Sequence, residues 1–98
     1  MQIRALNFKP CDRPNVIGYF SLGYGGLAIS GCKLMVGRGQ DSAWVALPSR
    51  RIERDDEIEY RPFLFFSKIE MSHIRRTVIE QVKKQGFMTD INNNNKEI

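Results

Sequence analysis

The sequence VIGYFSLGYGGLAISGCKLMV, residues 16–36, holds two candidate strands and the turn that joins them, and this hairpin is the centre of the predicted sheet. Residues 16–22 alternate between two sets of side chains, as a strand does when its two faces meet different surroundings. The glycine-rich residues 23–26 tolerate positive φ and predict a hairpin turn. A second strand is therefore expected from Leu27, and the glycine at Ser30-Gly31 predicts a bulge that curves the sheet.

Further strands are expected on both sides of this hairpin. Residues 3–9 alternate apolar and charged side chains, which predicts a first strand. Residues 42–47 are rich in strand formers, and residues 57–66 predict a last strand in which Pro62 requires an edge or bulge position. The charged stretch between them, residues 48–56, is expected to be an exposed loop.

One helix is expected after the strands. Ser67 and Glu70 have the spacing of a capping box, in which a hydroxyl and a carboxylate accept hydrogen bonds from backbone N–H groups at the helix start. Gly86 is expected to end the helix. Apolar side chains recur at three- and four-residue spacing and predict a buried face made of Met71, Ile74, Val78, Ile79 and Val82.

Together these elements predict an α+β fold, with a curved antiparallel sheet of four to five strands followed by one C-terminal helix. Residues 1–87 are expected to form a single domain, with a turn at residues 37–41. Residues 88–98 are expected to form a flexible tail, because the asparagine-rich end has little that can be buried. One helix covers two or three strands, so part of the sheet should meet a second copy, in a homodimer, or a ligand.

The composition excludes several classes of protein. Fifteen basic and 11 acidic residues among 98 give a formal net charge of +4, which favours encounter with polyanions without requiring one. The sequence has no run of about 20 apolar residues, the length that a membrane span needs. Its charged N-terminal residues do not resemble a signal peptide, so we expect a cytoplasmic protein with no membrane partner. Cys11 and Cys32 lack the spacing and partners of a zinc site and are expected to be reduced thiols.

The sequence offers no arrangement that predicts catalysis. His73 is the single histidine, and its place in the predicted helix favours simple solvent exposure. The carboxylates between Glu53 and Glu59 are typical of a solvated loop. The glycines of residues 23–26 match no phosphate-binding motif, and a strand follows them. We therefore expect a protein without enzymatic activity, cofactor or metal.

Long cations and aromatic rings are spread over the predicted strands and their connections. Such side chains suit single-stranded nucleic acid, because rings stack on exposed bases, at about 1–3 kcal/mol each, while Lys and Arg contact phosphates. Duplex recognition would want a helix or ribbon in the major groove, and the predicted helix is committed to the core. Alternatively, the rings belong to the core and the arginines only confer solubility. The predicted nucleic-acid-binding residues are Lys9, Tyr19, Lys33, Arg38, Trp44, Arg50, Arg51, Arg54 and Arg61.

The string WVALPSR, residues 44–50, resembles the stage V sporulation protein G family and related small phage proteins, in which a strand ends in V-A-L/M-P-S-R/K. The similarity in the order of elements extends over about residues 3–82, with Tyr60-Arg61-Pro62 before the C-terminal helix. That order is more distantly similar to the transcriptional positive cofactor four fold, whose members are homodimers that bind single-stranded DNA on their β-ridges. The chain departs from the sporulation family at residues 10–15 and in its glycine-rich hairpin. The resemblance implies DNA binding by a dimer.

We therefore expect a homodimer that binds single-stranded DNA with little sequence preference, in phage or bacterial replication, recombination or transcription. The cationic and aromatic strand residues would form the DNA surface. Two alternatives stay open. One is a regulator of the sporulation protein G type that binds duplex DNA or RNA, and the other is a protein-interaction module, suggested by the apolar run at residues 63–66.

Overall fold

The computed structural model describes residues 2–37, 43–62 and 64–87. These residues form a four-stranded antiparallel sheet in the order β1-β2-β3-β4, a separate two-stranded sheet of β5 and β6, and one helix, α1. The α+β class, the antiparallel sheet and the C-terminal helix are thus confirmed. The elements are β1 (Ile3–Pro10), β2 (Val16–Tyr24), β3 (Leu27–Val36), β4 (Ala43–Ala46), β5 (Ser49–Arg54), β6 (Glu57–Pro62) and α1 (Lys68–Lys84).

Two predicted segments fall largely or wholly outside these ranges. Of the turn expected at residues 37–41, only Gly37 is described. The tail expected at residues 88–98 also lies outside the described residues.

The predicted loop at residues 48–56 is wrong. Residues 49–54 form β5, and a two-residue turn at Asp55 and Asp56, both with positive φ, joins it to β6. Aspartate tolerates the left-handed conformation that such a turn requires. β5 was missed because almost all its side chains are exposed, so no apolar alternation marks it, whereas β6 lies within the strand predicted at residues 57–66. The predicted four- to five-stranded sheet is therefore a sheet of four strands and a separate pair, and β6 ends at Pro62, not at Phe66.

One face of the four-stranded sheet packs against α1 and forms the core. Alternate strand residues point to this face and are buried, as are Ile74, Val78 and Val82 of the helix. Burial of an aliphatic side chain of this size contributes about 1.5–3 kcal/mol relative to exposure. The predicted apolar face of the helix is confirmed, with Met71 and Ile79 partly buried beside it. The strand residues of the core are Ile3, Ala5, Phe8, Phe20, Leu22, Cys32, Leu34, Ala43 and Val45.

Three register shifts bend the four-stranded sheet. They lie between Leu6 and Lys9 in β1, at Ile17 in β2, and at Ser30-Gly31 in β3, so the bulge predicted in β3 is confirmed. Gly31 has a φ of +82°, a conformation that other residues adopt only with strain. Gly18 is required for a steric reason, because a Cβ at this position would collide with the ring of Phe8.

The helix begins and ends where the sequence predicts. At its start, the Ser67 hydroxyl accepts a hydrogen bond from the backbone N–H of Glu70 at 3.1 Å. At its end, Gly86 has a φ of +83°, and the N–H groups of Gly86 and Phe87 donate to the carbonyls of Lys83 and Val82. This pair of hydrogen bonds is a Schellman motif, which satisfies carbonyls that the helix itself leaves free.

The Glu70 carboxylate has a different role from the one the capping box predicts. It accepts a hydrogen bond from the hydroxyl of Tyr24 on β2. The pKa of Tyr24 is raised mainly by this hydrogen bond and, to a smaller extent, by desolvation and by the negative charge of Glu70. The contact ties the first turn of α1 to the sheet while the phenol keeps its proton.

Side chains of α1 hold both edge strands of the four-stranded sheet. The Gln81 carboxamide accepts from the N–H of Ala5 at 2.7 Å and donates to the carbonyl of Ile3 at 2.9 Å. It therefore occupies the outward backbone groups of β1 as a neighbouring strand would. At the opposite edge, the Arg75 guanidinium donates to the carbonyl of Ala43 on β4.

Gln81→Glu tests whether this edge contact stabilises the fold. The change keeps the side-chain shape but replaces the donor to the Ile3 carbonyl with a second acceptor oxygen. We expect the free energy of unfolding in urea at pH 7 to fall by about 1–3 kcal/mol. Gln2→Glu, the same change at an exposed glutamine, should alter it by less than about 0.5 kcal/mol. Equal stabilities of the two variants would contradict the role of Gln81.

Candidate nucleic-acid interface

The sheet face opposite α1 has no element packed on it among the described residues, and we call it the open face. In an antiparallel sheet, directly paired residues point to the same face. Lys9 pairs with Tyr19, Tyr19 with Lys33, and Lys33 with Ala46, so these residues form one row across all four strands. The row faces away from the helix, since its chain neighbours are buried in the core: Phe8, Phe20, Cys32, Leu34 and Val45.

Trp44 extends this row along β4. It pairs with Met35 and alternates with the buried Ala43 and Val45, which places it on the open face with 46% of its surface exposed. Tyr19 is partly exposed. Neither ring belongs to the core cluster, so the interpretation of these rings as core residues is not supported.

The strands of the open face are electrostatically one-sided. β1 to β4 carry three cations, Arg4, Lys9 and Lys33, and no carboxylate. Neighbouring strands lie about 4.8 Å apart, so the Cα atoms of Lys9 and Lys33 are separated by about 10 Å, with Tyr19 between them. Arg4 was not among the predicted residues, although the alternation Ile3-Arg4-Ala5 already placed it opposite the core.

The remaining predicted cations of the described residues lie on the β5–β6 hairpin, residues 49–62, which we call the hairpin arm. No Cα atom of β5 or β6 lies within 8 Å of β1 to β4 or of α1, sequence neighbours aside. Pro48, at the base of the arm, lies next to Gly31: a Cβ placed on Gly31 would be 3.5 Å from the Cβ of Pro48. The arm therefore projects from the rest of the described chain.

The arginines of the arm are divided between its two faces. Arg50 is paired with Arg61, and Arg54 lies on the same face further along β5. Arg51 points to the other face, where it is paired with Tyr60. The four guanidinium groups therefore form no single cationic surface.

Carboxylates on the arm offset these arginines. Arg51 forms an ion pair with Glu53 at 2.9 Å, and Arg61 forms one with Glu59 at 3.1 Å. Exposed ion pairs contribute only about 0–1 kcal/mol, so these pairs alone would not prevent binding of a phosphate. However, residues 49–62 hold four arginines and five carboxylates, a net charge of −1, which gives the arm no long-range attraction for a polyanion.

The predicted residues thus fall into separate groups. Lys9, Tyr19, Lys33 and Trp44 share the open face. The arm carries Arg50, Arg51, Arg54 and Arg61, and Arg38 lies outside the described residues.

The described residues do not gather metal-binding groups into a site. Within residues 2–37, 43–62 and 64–87, no three His, Cys, Asp or Glu side chains are placed to hold a metal ion. His73 is exposed on α1. Cys11 and Cys32 are both free thiols. Over the same described ranges, no helix is long and apolar enough to cross a membrane.

The two thiols should differ sharply in reactivity. Cys32 is fully buried, and this burial raises its pKa, whereas Cys11 is partly exposed between β1 and β2. Because the thiolate is the reactive form, a thiol reagent at pH 8 should label Cys11 in the folded protein and Cys32 only after denaturation. Cys11→Ser should abolish the rapid reaction in the folded state. Rapid labelling of that variant would contradict the burial of Cys32.

Comparison with known proteins finds no significant match to a protein-family model, a curated protein or a solved structure. The resemblance to the sporulation protein G family and to the positive cofactor four fold therefore stays a prediction.

Proposed function

We propose that this protein binds single-stranded DNA through the open face of its four-stranded sheet, with little sequence preference and without enzymatic activity. The observation that carries the proposal is the row of Lys9, Tyr19 and Lys33, in which an aromatic ring lies between two cations, beside the exposed Trp44. Its role would be in replication, recombination or transcription.

The chemistry of this face suits an unpaired strand. The bases of single-stranded DNA are available for stacking on Tyr19 and Trp44, at about 1–3 kcal/mol per base, and stacking accepts every base. Arg4, Lys9 and Lys33 would contact phosphates, and no carboxylate of β1 to β4 opposes them. A bent four-stranded sheet is also a poor fit to the major groove of a duplex, which admits a helix or a two-stranded ribbon.

The proposal includes a homodimer. Two rings and three cations make a small binding site on a single chain, since two stacked bases contribute only roughly 2–6 kcal/mol before the cost of association. A second copy would hold the same strand at a high effective concentration and raise its affinity without new kinds of contact.

Paired lysine variants test the site. Lys9→Ala with Lys33→Ala should weaken binding of a fluorescent oligothymidine by about tenfold or more at low salt. The slope of log K against log salt should fall by roughly 1.4, because each lost phosphate contact removes about 0.7. Fluorescence anisotropy at several salt concentrations measures both quantities. The matched control is Arg50→Ala with Arg54→Ala on the arm, which should change affinity by less than about threefold.

Aromatic variants separate stacking from charge. Trp44→Leu and Tyr19→Leu keep an apolar side chain and should each lower the affinity by about 1–3 kcal/mol with little effect on the salt slope. Circular dichroism verifies that each variant stays folded. Unchanged affinity of the lysine and aromatic variants alike would contradict the proposed site, and no oligonucleotide binding at low salt would contradict the function.

Competition separates the proposal from its alternatives. Unlabelled single-stranded DNA should displace the probe far better than duplex DNA or RNA of the same length. Equal or better displacement by duplex DNA or RNA would favour a regulator of the sporulation protein G type. A stoichiometric protein partner retained after nuclease treatment, without oligonucleotide binding, would favour an interaction module.

A further inference from the structure

The hairpin arm lacks the support that a two-stranded sheet needs. An isolated hairpin is marginally stable at best in water, because it has no second layer to bury its apolar side chains. The arm contacts no other element among the described residues. Ile58 and Tyr60 on β6 are nevertheless 53% and 64% exposed. These features indicate that another surface covers the arm.

The turn geometry shows which edge of the arm is available. In a hairpin with a two-residue turn, the residues that flank the turn, here Arg54 and Glu57, are hydrogen-bonded to each other. By alternation, the backbone groups of Ile58 and Tyr60 then point outward from β6. On β5, the residues paired with Tyr60 and Ile58 are Arg51 and Glu53, which form an ion pair with each other. The apolar edge of the arm is therefore that of β6.

The four-stranded sheet also has one available edge. Gln81 occupies the outward groups of β1. In β3, the N–H of Val36 points towards β2 and donates to the Asn15 carbonyl. Val36 is paired with Ala43 of β4, whose carbonyl points away from β3 and accepts a hydrogen bond from Arg75. By alternation, the N–H and carbonyl of Val45 also point outward, and the described residues provide no partner for them.

An apolar groove with cationic groups runs along this outer edge of β4. None of the described residues that line it is a carboxylate. Phe65 and Ile69, which precede or follow lining residues in the chain, are 78% and 82% exposed, among the most exposed large apolar side chains of the described residues. The groove is formed by Trp44, Val45, Phe66, Lys68, Met71 and Arg75, together with Ser72.

We propose that the hairpin arm of one copy lies in this groove of a second copy, with the edge of β6 along the edge of β4. The contact would occur twice by two-fold symmetry, as isologous interfaces do. It specifies the homodimer that the proposed function assumes, but it does not depend on nucleic-acid binding.

Charge, apolar surface and chain connection favour a second copy as the occupant. The arm carries five carboxylates against four arginines, a net charge of −1, and the described lining of the groove carries Lys68 and Arg75 without an acidic residue, so the charges of the two surfaces are weakly complementary. The exchange would cover Ile58 and Tyr60 with the apolar lining residues Phe66 and Met71. Only Leu47 and Pro48 join β4 to β5, and from this link the arm projects away from its own sheet.

The first experiment measures the mass in solution by light scattering over a concentration series, without nucleic acid. We expect a dimer, with twice the chain mass of 11.3 kDa. Ile58→Lys with Tyr60→Lys should raise the dimer dissociation constant by about 100-fold or more, because it removes the apolar edge of the arm. The matched control is Arg51→Lys with Glu53→Lys on β5, which changes the net charge by the same amount and therefore measures the effect of charge alone; it should raise the constant by less than about tenfold.

The second experiment locates the contact. Two differently sized versions of the chain, both with Cys11→Ser, are mixed, one carrying Ile58→Cys and the other Ser72→Cys. Mild oxidation should give a disulfide between the two chains. Ser30→Cys, on a strand outside the groove, replaces Ser72→Cys in the control and should give none.

Three results would overturn the exchange. They are a monomer at concentrations up to about 100 µM, a dimer that the Ile58 and Tyr60 variant does not weaken, and equal cross-linking in the Ser30→Cys control. All are read without nucleic acid, so a monomer that binds DNA would refute the exchange alone. A cross-linked dimer that binds no DNA would refute the DNA-binding proposal alone.

Discussion

The packing of α1 across one face of the four-stranded sheet is the contact on which the rest of the structure depends. Ile74, Val78 and Val82 are fully buried against that face, and each contributes about 1.5–3 kcal/mol. Gln81 and Arg75 hold the two edge strands to the same helix. Because one helix covers only one face of the sheet, every second strand residue lies on the other face. The cationic and aromatic side chains of these residues are therefore accessible to solvent.

The division also separates two surfaces of opposite character. β1 to β4 carry cations without carboxylates, whereas the hairpin arm has a net charge of −1 and exposed apolar side chains. A polyanion would be attracted to the first surface, and the second is better suited to a cationic, apolar protein groove. In the proposed complex the open face binds the nucleic acid, and the arm and the edge of β4 hold two copies together. Trp44 borders both the open face and the groove, so Lys9 and Lys33 probe the first surface alone and Ile58 and Tyr60 probe the second alone.

Local patterns were sufficient to predict the elements whose signals are local. The β2–β3 hairpin, the bulge at Gly31 and both ends of α1 follow from glycines, a capping serine and helical periodicity. β5 and the turn of the arm were missed because the side chains of β5 are almost all exposed and the turn is Asp-Asp, without glycine. The row of Lys9, Tyr19 and Lys33 depends on pairing between distant segments, and bulges at Asn7-Phe8, Ile17 and Ser30-Gly31 each shift the alternation. The sequence therefore predicted these residues as binding residues, but it did not predict that they are neighbours in the sheet.

The central claim is that the open face, and not the arm or the helix, contacts single-stranded DNA. The most direct measurement is a titration of isotope-labelled protein with oligothymidine, followed through the NMR shifts of backbone amides and the Trp44 indole. We expect the largest shifts at Lys9, Tyr19, Lys33 and Trp44, with small changes at the arm tip and along α1. Shifts confined to the arm or to the exposed side of α1 would contradict it.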